Sequence, residues 1–215
     1  MPDVQEPAVD PMPMLGLWGW RRRVVALYAE VRAMPAPKLA WQLWREARDE
    51  LFRNTLQSLM QRQRRDRFQG LPVFEYNPTL RFLVELTGVP PGAPRHTVPA
   101  GDDGTVGMVP FAMTAGLERR LGQELTLYWL EGYGGGVFLP FKDATTGDAT
   151  FGGGRYILDT IKGADLGGDD RGRVVIDFNF AYNPSCAYSD RWICPLAPAE
   201  NTLPAAVRAG EQIAA

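Results

Sequence analysis

Two stretches near the N terminus carry apolar residues at helical spacing. These residues are Val24, Leu27, Tyr28 and Val31 in the first stretch, and Leu39, Leu43, Ala47, Leu51, Leu56 and Leu59 in the second. The spacing predicts a short helix over residues 22–34 and a longer amphipathic helix over residues 38–67. Pro35 and Pro37 separate the two helices.

Beyond Gly70 the pattern changes to short apolar runs that are separated by glycine- and proline-rich turns. The runs are LPVFEY, LRFLVELT, TVGMVPFAM, GLERRLGQ, ELTLYWLE, GVFLPFKD, GRYILD and RVVIDFNFAY. Because no longer helical pattern intervenes, these runs predict an antiparallel β barrel or sandwich. The predicted fold class is mainly β (α+β), with one or two N-terminal helices beside the barrel or sandwich.

The length of 215 residues fits one domain with an extension. Residues 1–36 form the extension, which is polar and proline-rich up to about residue 14 and predicted to be disordered there. Residues 37–215 form the single globular domain, with a β-rich part over 71–182 and an irregular C-terminal segment over 183–215.

Charge and apolar content exclude several classes of protein. The formal net charge of -2 offers no strongly basic surface for nucleic acid. No apolar run approaches the roughly 20 residues of a transmembrane helix, and the acidic N terminus lacks the pattern of a signal peptide. Two cysteines are too few for a disulfide scaffold, so we expect a cytoplasmic protein with reduced thiols.

The segment RVVIDFNFAY places Asp177 and Asn179 on one face of a predicted strand, and a solvent-facing edge would account for both. The preceding strand begins with Arg155 after three glycines, and antiparallel pairing would bring Arg155 opposite or diagonal to Asp177. The glycines allow close approach of backbone or of a ligand. An arginine with free donors would bind a carboxylate or phosphate.

Both cysteines, Cys186 and Cys194, lie in the next segment, NPSCAYSDRWICP. A zinc site lacks ligands, because His96 is the sole histidine and lies in a predicted exposed loop. A disulfide across the loop is the alternative, but a reducing compartment disfavours it. We expect both thiols to be small, buried packing residues.

Two further features each allow two interpretations. Glu200 is a candidate general base if burial tunes its pKa, whereas the following Asn201 is typical of a cap that satisfies free backbone groups.

Trp18 and Trp20 precede Arg21–Arg23 and could contact an anionic surface. The interpretation we favour is that both tryptophans pack on the domain, because three arginines fall short of a lipid-binding cluster.

Four segments together resemble a bacterial family of unknown function, number 1684 among the catalogued domains of that kind. They are FRNTLQSLMQRQRRDRFQGLPVFEYNPTLRF, FLPFKDATTGDATFGGGRYI, DFNFAYNPSCAY and CPLAPAENTLPAAVRAGE, and the resemblance runs from about Trp41 to Glu211. It implies these signature residues: Pro140, Phe141, Asp143, Gly147, Thr150, Gly154, Arg155, Tyr156, Asp177, Asn179, Tyr182, Asn183, Pro184, Cys186, Tyr188, Cys194, Pro195, Glu200, Asn201 and Glu211. Phe151 departs from the family, which tends to have tyrosine there. The family has no settled activity to transfer.

So many polar residues in one signature indicate a ligand pocket or a buried polar network. We expect a small-molecule site in which Arg155 holds an anionic metabolite, Asp177 orients Arg155, and Glu200 or Asp143 transfers a proton. The remaining predicted site residues are Tyr156, Asn179, Tyr182, Asn183, Cys186, Tyr188 and Asn201. No metal or cofactor is expected, and the oligomeric state is open.

Two alternatives stay open. In the first, the signature is a non-catalytic clasp that holds the C-terminal segment across the barrel, and the Trp18–Arg23 region contacts a partner. In the second, a small barrel binds a flavin or another cofactor.

Overall fold

The computed structural model describes residues 11–54, 67–99, 104–190 and 192–213. The helices are α1 (Met12–Ala33), α2 (Pro37–Asn54) and a single turn, α3 (Glu118–Leu121). The strands are β1 (Arg81–Thr87), β2 (His96–Pro99), β3 (Thr105–Ala115), β4 (Thr126–Leu130), β5 (Gly136–Phe141), β6 (Arg155–Asp159) and β7 (Val174–Asp177). None of the helices in the described residues is long and apolar enough to cross a membrane.

The two predicted N-terminal helices exist, with different ends. Helix α1 begins at Met12, ten residues before its predicted start, so the prediction of disorder up to about residue 14 is wrong for its last three residues. The apolar face of α1 packs on α2 and joins the main hydrophobic core. Helix α2 ends at Asn54, and residues 55–66 of the predicted longer helix lie outside the described residues.

The strands form a sheet in the order β6-β5-β4-β3-β1-β7, in which every neighbouring pair is antiparallel, and β2 pairs with β3. Tyr156 in β6 and Tyr182, just after β7, exchange two backbone hydrogen bonds of 2.9 and 3.0 Å. These bonds tie the two ends of the sheet together and nearly close a barrel. The predicted fold class, mainly antiparallel β with one or two N-terminal helices, is confirmed, and the structure has two such helices.

The run GLERRLGQ is a short helix rather than a strand. Helix α3 ends at Gly122, whose φ of 83° is favourable only for glycine and whose N–H caps the turn. The carboxylate of Glu124 accepts backbone hydrogen bonds from Gly116, Leu117 and Glu118 at the start of this turn. Local capping therefore outweighs the apolar pattern in this run.

The predicted strand over 173–182 ends early, at Asp177. The Oδ1 atom of Asp177 accepts the Asn179 N–H at 3.0 Å, which starts a 3₁₀ turn over Phe178–Phe180. Strand β7 pairs with β1, and Arg81 is the residue opposite Asp177. Arg155 instead lies opposite Phe141 of β5, so the predicted cross-strand pair of Arg155 with Asp177 is wrong.

Candidate functional site

Arg155 is a buried cation, 1% exposed, that faces the C-terminal segment. Its Nη2 donates to Asp143 Oδ2 at 2.6 Å and to the Val207 carbonyl at 3.0 Å. Its Nη1 donates to the carbonyls of Ala209 and Glu211. Protein oxygens thus accept from both terminal nitrogens of Arg155, and its carboxylate partner is Asp143 rather than Asp177.

Both carboxylate oxygens of Asp143 also accept hydrogen bonds from the protein itself. Its Oδ1 accepts from the N–H and hydroxyl of Thr145 at 2.7 and 2.6 Å, and from the Val207 N–H at 3.3 Å. Gly154, before the arginine, has φ of 89°, and a Cβ there would lie 2.6 Å from the Phe141 carbonyl oxygen. The glycine run therefore serves a close approach of backbone to backbone.

A second buried ion pair joins α2 to the C-terminal segment. Arg48 Nε donates to Glu211 Oε1 at 2.6 Å, while Glu211 Oε2 accepts from Tyr188 Oη at 2.6 Å and from Asn183 N at 2.8 Å. Burial lowers the pKa of Arg48, but the neighbouring Glu211 carboxylate outweighs it and raises the pKa overall. The Arg48 guanidinium also stacks 4.9 Å from the ring of Tyr182.

Glu200 and Asn201 are neighbours in sequence but contact different parts of the protein. Asn201 is fully buried and hydrogen-bonds the N–H and carbonyl of Thr126, both at 2.8 Å, as well as the Pro140 carbonyl. Glu200 is part-buried, and its Oε1 lies 2.5 Å from His96 Nε2 and accepts from Tyr128 Oη at 2.9 Å. Burial alone would raise the pKa of Glu200, but hydrogen bonds from the backbone, His96 and Tyr128 lower it overall.

His96 therefore corrects the prediction of an exposed loop residue, because it lies in β2 and contacts Glu200. Sequence reasoning gave no sign of this contact, since 104 residues separate the two side chains.

Cys186 and Cys194 are free thiols that lie next to each other. The Cys186 N–H donates to Cys194 Sγ at 3.3 Å. Burial, followed by the neighbouring Cys194, raises the pKa of the Cys186 thiol to about 12. Both cysteines are partly exposed, so the expectation of buried packing residues is wrong. Tyr156, beside them, donates its hydroxyl to the Pro195 carbonyl.

Asp177 is a predicted site residue that, within the described part of the chain, has one carboxylate oxygen free for a ligand. It is 1% exposed, and its Oδ1 accepts from the N–H of Asn179 at 3.0 Å and from Nδ2 of Asn179 at 2.7 Å. Its Oδ2 has no hydrogen-bond partner in the described residues, and Arg81 Nε lies 3.6 Å away. Burial raises the pKa of Asp177 to about 6, against the lowering effects of Asn179 and Arg81.

Asn179, which holds this carboxylate through Oδ1 of Asp177, is itself fixed by the backbone of Asn77. Its Oδ1 accepts the Asn77 N–H at 2.7 Å, and its Nδ2 donates to the Asn77 carbonyl at 2.9 Å. A solvent-facing edge, the alternative explanation for this pair, does not apply, because both residues are buried. The two residues do lie side by side, as predicted.

Asp177 lines a half-open cavity of about 200 Å³ between the helices and the barrel. The wall includes the end of α1, the start of α2, β1, β7 and the backbone of Gly167 and Gly168. Arg81 and Arg32 are its two cationic residues. Gly167 has φ of 77°, and a Cβ there would lie 2.8 Å from Cδ of Arg32, so glycine lets this arginine lie over the loop.

Of the predicted site residues, only Asp177 lines this cavity. Asn179 contacts Asp177 without lining the cavity, and the structure places the others in the contacts around the C-terminal segment, the thiol pair or the Glu200 cluster. Sequence reasoning missed Arg32 and Arg81. Arg81 stands at the start of an alternating strand, where an arginine is ordinary, and pairing of β1 with β7 is what brings it to Asp177.

These features define a class of protein: a barrel-like antiparallel β protein whose C-terminal segment is held by buried ion pairs. The family profile described as a protein of unknown function (DUF1684) matches residues 66–212. The chain belongs to this family, as the resemblance predicted, although the match begins at residue 66 rather than near Trp41.

One solved structure extends this comparison. The solution NMR structure of an uncharacterized protein from Haloarcula marismortui is 34% identical, with a TM-score of 0.53. The match covers 80% of this chain and 91% of that chain. No curated protein matches the chain. The comparisons support fold and family, and the function has to be argued from the geometry.

Proposed function

We propose that the protein binds a small organic acid carrying a hydroxyl or amino group in the cavity bounded by Arg32, Arg81 and Asp177. The observation that carries the proposal is the buried Oδ2 atom of Asp177, which has no hydrogen-bond partner in the described residues. A buried carboxylate oxygen without a donor is costly, and a ligand hydroxyl or ammonium would satisfy it.

Arg81 is the residue that would bind the carboxylate of the ligand. Its side chain is 38% exposed at the cavity wall and makes no hydrogen bond within the described part of the chain, although it lies 3.6 Å from Asp177. Its donors are therefore available for a carboxylate, which guanidinium binds in a two-pronged geometry. Arg32 uses Nη1 on the Asp165 carbonyl at 2.6 Å and adds a second positive charge.

The size of the cavity limits the ligand. Its volume of about 200 Å³ lies below the range of about 300–1,000 Å³ that is typical for drug-sized ligands. A flavin is too large for this cavity, which therefore favours a metabolite with few atoms. The charged groups of the cavity, two arginines and one carboxylate, are complementary to a hydroxy acid or an amino acid.

Asp177 is also the best placed group for proton exchange. A pKa of about 6 leaves it partly protonated near neutral pH, which suits a general acid or base. Glu200, the other candidate, has a lowered pKa and lies outside the cavity wall. Any proton transfer at this site would therefore pass through Asp177.

The clasp interpretation remains the second candidate, because Arg155 donates to the carbonyls of Val207, Ala209 and Glu211. These contacts explain the signature around Arg155 without a ligand. They are compatible with a ligand at Asp177, since the two sites use different residues. A protein that only clasped its own C-terminal segment would bind no acid in the cavity.

The test is a thermal-shift screen of the purified chain with two- to four-carbon hydroxy acids and amino acids and with inorganic phosphate, followed by calorimetric titration of each hit. We expect at least one acid to raise the melting temperature, and Arg81→Met to weaken its binding about ten-fold or more. Arg95→Met is the matched control, because Arg95 pairs with Glu131 on the exposed surface. Equal affinities in both variants and wild type would refute the proposal, as would no binding to any acid.

A further inference from the structure

The outward face of α1 carries a stripe of exposed apolar residues. Leu15 is 50% exposed, Trp18 is 58% exposed and Val25 is 53% exposed. Together with Arg22 they occupy positions that recur every three or four residues, so all four lie along one side of the helix. At helical rise, this stripe is about 15 Å long.

The inward face of the same helix is already satisfied. Val24, Leu27, Tyr28 and Val31 are buried, and Trp20 packs against the same core. The expectation that both tryptophans pack on the domain is therefore right for Trp20 and wrong for Trp18. An exposed tryptophan with further exposed apolar residues along the same side of its helix indicates a contact surface, whereas scattered apolar residues would not.

The charges beside the stripe are mainly positive. Helix α1 contains Arg21, Arg22, Arg23 and Arg32, and its single acidic residue, Glu30, comes after the stripe. Arg23 pairs with Glu50 at 2.8 Å, and the guanidinium of Arg22 lies 5.2 Å from the ring centre of Trp18. Arg21 and Arg22 therefore remain as surface cations next to the apolar residues.

We infer that the outward face of α1 docks on an anionic lipid surface, with the helix axis in the plane of the bilayer. Leu15, Trp18 and Val25 would enter the boundary between headgroups and acyl chains, where tryptophan is favourable. Arg21 and Arg22 would reach lipid phosphates, because long basic side chains extend towards the headgroups while their stems stay apolar. The contact is independent of the acid-binding cavity.

Charge distinguishes a lipid surface from a second copy of this chain. A symmetric contact through this face would bring Arg21 and Arg22 of two copies close together, and like charges at an interface are unfavourable. A surface of anionic headgroups complements the same arginines. These arginines are too few to hold the protein on lipid by charge alone, so Leu15, Trp18 and Val25 have to supply most of the binding and the docking is reversible.

The test is co-sedimentation of the full chain with phosphatidylcholine vesicles that contain either no anionic lipid or about 30 mol% phosphatidylglycerol. We expect binding to the anionic vesicles only, and weaker binding when the ionic strength rises to about 0.5 M. Arg22→Ala should lower the partition constant about five-fold, and Trp18→Ala about ten-fold or more. Trp129→Ala, which removes a tryptophan 44% exposed on β4, is the matched control and should bind like wild type.

Three outcomes would overturn the inference. The first is no sedimentation with anionic vesicles, and the second is equal binding to neutral and anionic vesicles. The third is equal loss of binding in Trp18→Ala and Trp129→Ala. Self-association that depends on Trp18, measured by analytical ultracentrifugation in the absence of vesicle binding, would point to a second copy instead.

Discussion

Arg48 on α2 and Glu211 in the C-terminal segment form a buried ion pair across 163 residues of sequence, with Nε and Oε1 2.6 Å apart. Tyr188 and Asn183 complete the hydrogen bonding of the same carboxylate. The pair therefore fastens the end of the described chain to the helix that covers the barrel. Much of the family signature is explained by such contacts with the C-terminal segment.

Glu211→Gln should be strongly destabilising, because it removes the counter-charge of the Arg48 guanidinium, which is largely buried. We expect a loss of about 3–5 kcal/mol in the free energy of unfolding, measured by urea denaturation. The control is Glu50→Gln, whose surface pair with Arg23 should contribute less than about 1 kcal/mol. Similar small losses in both variants would show that the buried pair does not fasten the segment.

Arg155 and Asp143 form the second buried pair, and a double-mutant cycle isolates their coupling. Arg155→Met and Asp143→Asn should each cost about 3–5 kcal/mol, since each leaves one buried charge unpaired. The double variant should lose less than the sum of the two by about 1 kcal/mol or more. Additive losses would contradict a direct pair.

The same Arg155→Met variant distinguishes the clasp interpretation of Arg155 from a ligand site at Arg155. Under conditions in which it is folded, its affinity for the acid identified in the screen should equal that of wild type, because Arg155 does not line the cavity. A selective loss of acid binding with little loss of stability would show that Arg155 binds the ligand, which is the hypothesis drawn from the sequence.

Asp177→Asn should make the protein more stable at neutral pH. The folded-state pKa of about 6 exceeds the ordinary aspartate value of 3.8, so the folded chain binds the proton more tightly than the unfolded chain does. Stability therefore falls as pH rises from about 4 to about 6, by up to about 3 kcal/mol from this group. Denaturant titrations at several pH values should show this fall in wild type and not in Asp177→Asn.

Cys186 should alkylate slowly in the folded protein. With a thiol pKa of about 12, the thiolate that reacts is scarce, and we expect the rate with iodoacetamide near pH 8 to be at least about a hundred-fold lower than in urea. Peptide mapping by mass spectrometry distinguishes Cys186 from Cys194. Alkylation at the same rate in both states would contradict an environment that disfavours the thiolate.

Periodicity was sufficient to predict the architecture. The helical spacing of the two N-terminal stretches and the short apolar runs beyond Gly70 predicted one or two helices and an antiparallel barrel or sandwich, in agreement with the structure. The pairing of β7 was beyond periodicity, because Asp177 caps a turn and ends the strand, and β1 rather than β6 lies beside it.

The site was predicted only in part. Asp177 and Asn179 were singled out correctly as neighbours, but the backbone partner of Asn179 is Asn77, which lies 102 residues earlier. Arg81 carries no sequence signal of its own, since an arginine at the edge of a strand is usually solvated. Contacts between segments so distant in sequence follow from packing, and no spacing rule encodes them.

The central claim is that Arg81 and Asp177 bind a small acid, and the most direct measurement is the pH dependence of its binding by calorimetric titration. For an acid found in the screen, affinity should rise from about pH 5 to about pH 7 as Asp177 ionises, and Asp177→Asn should abolish this rise. A pH-independent affinity that is also unchanged in Arg81→Met would contradict the account.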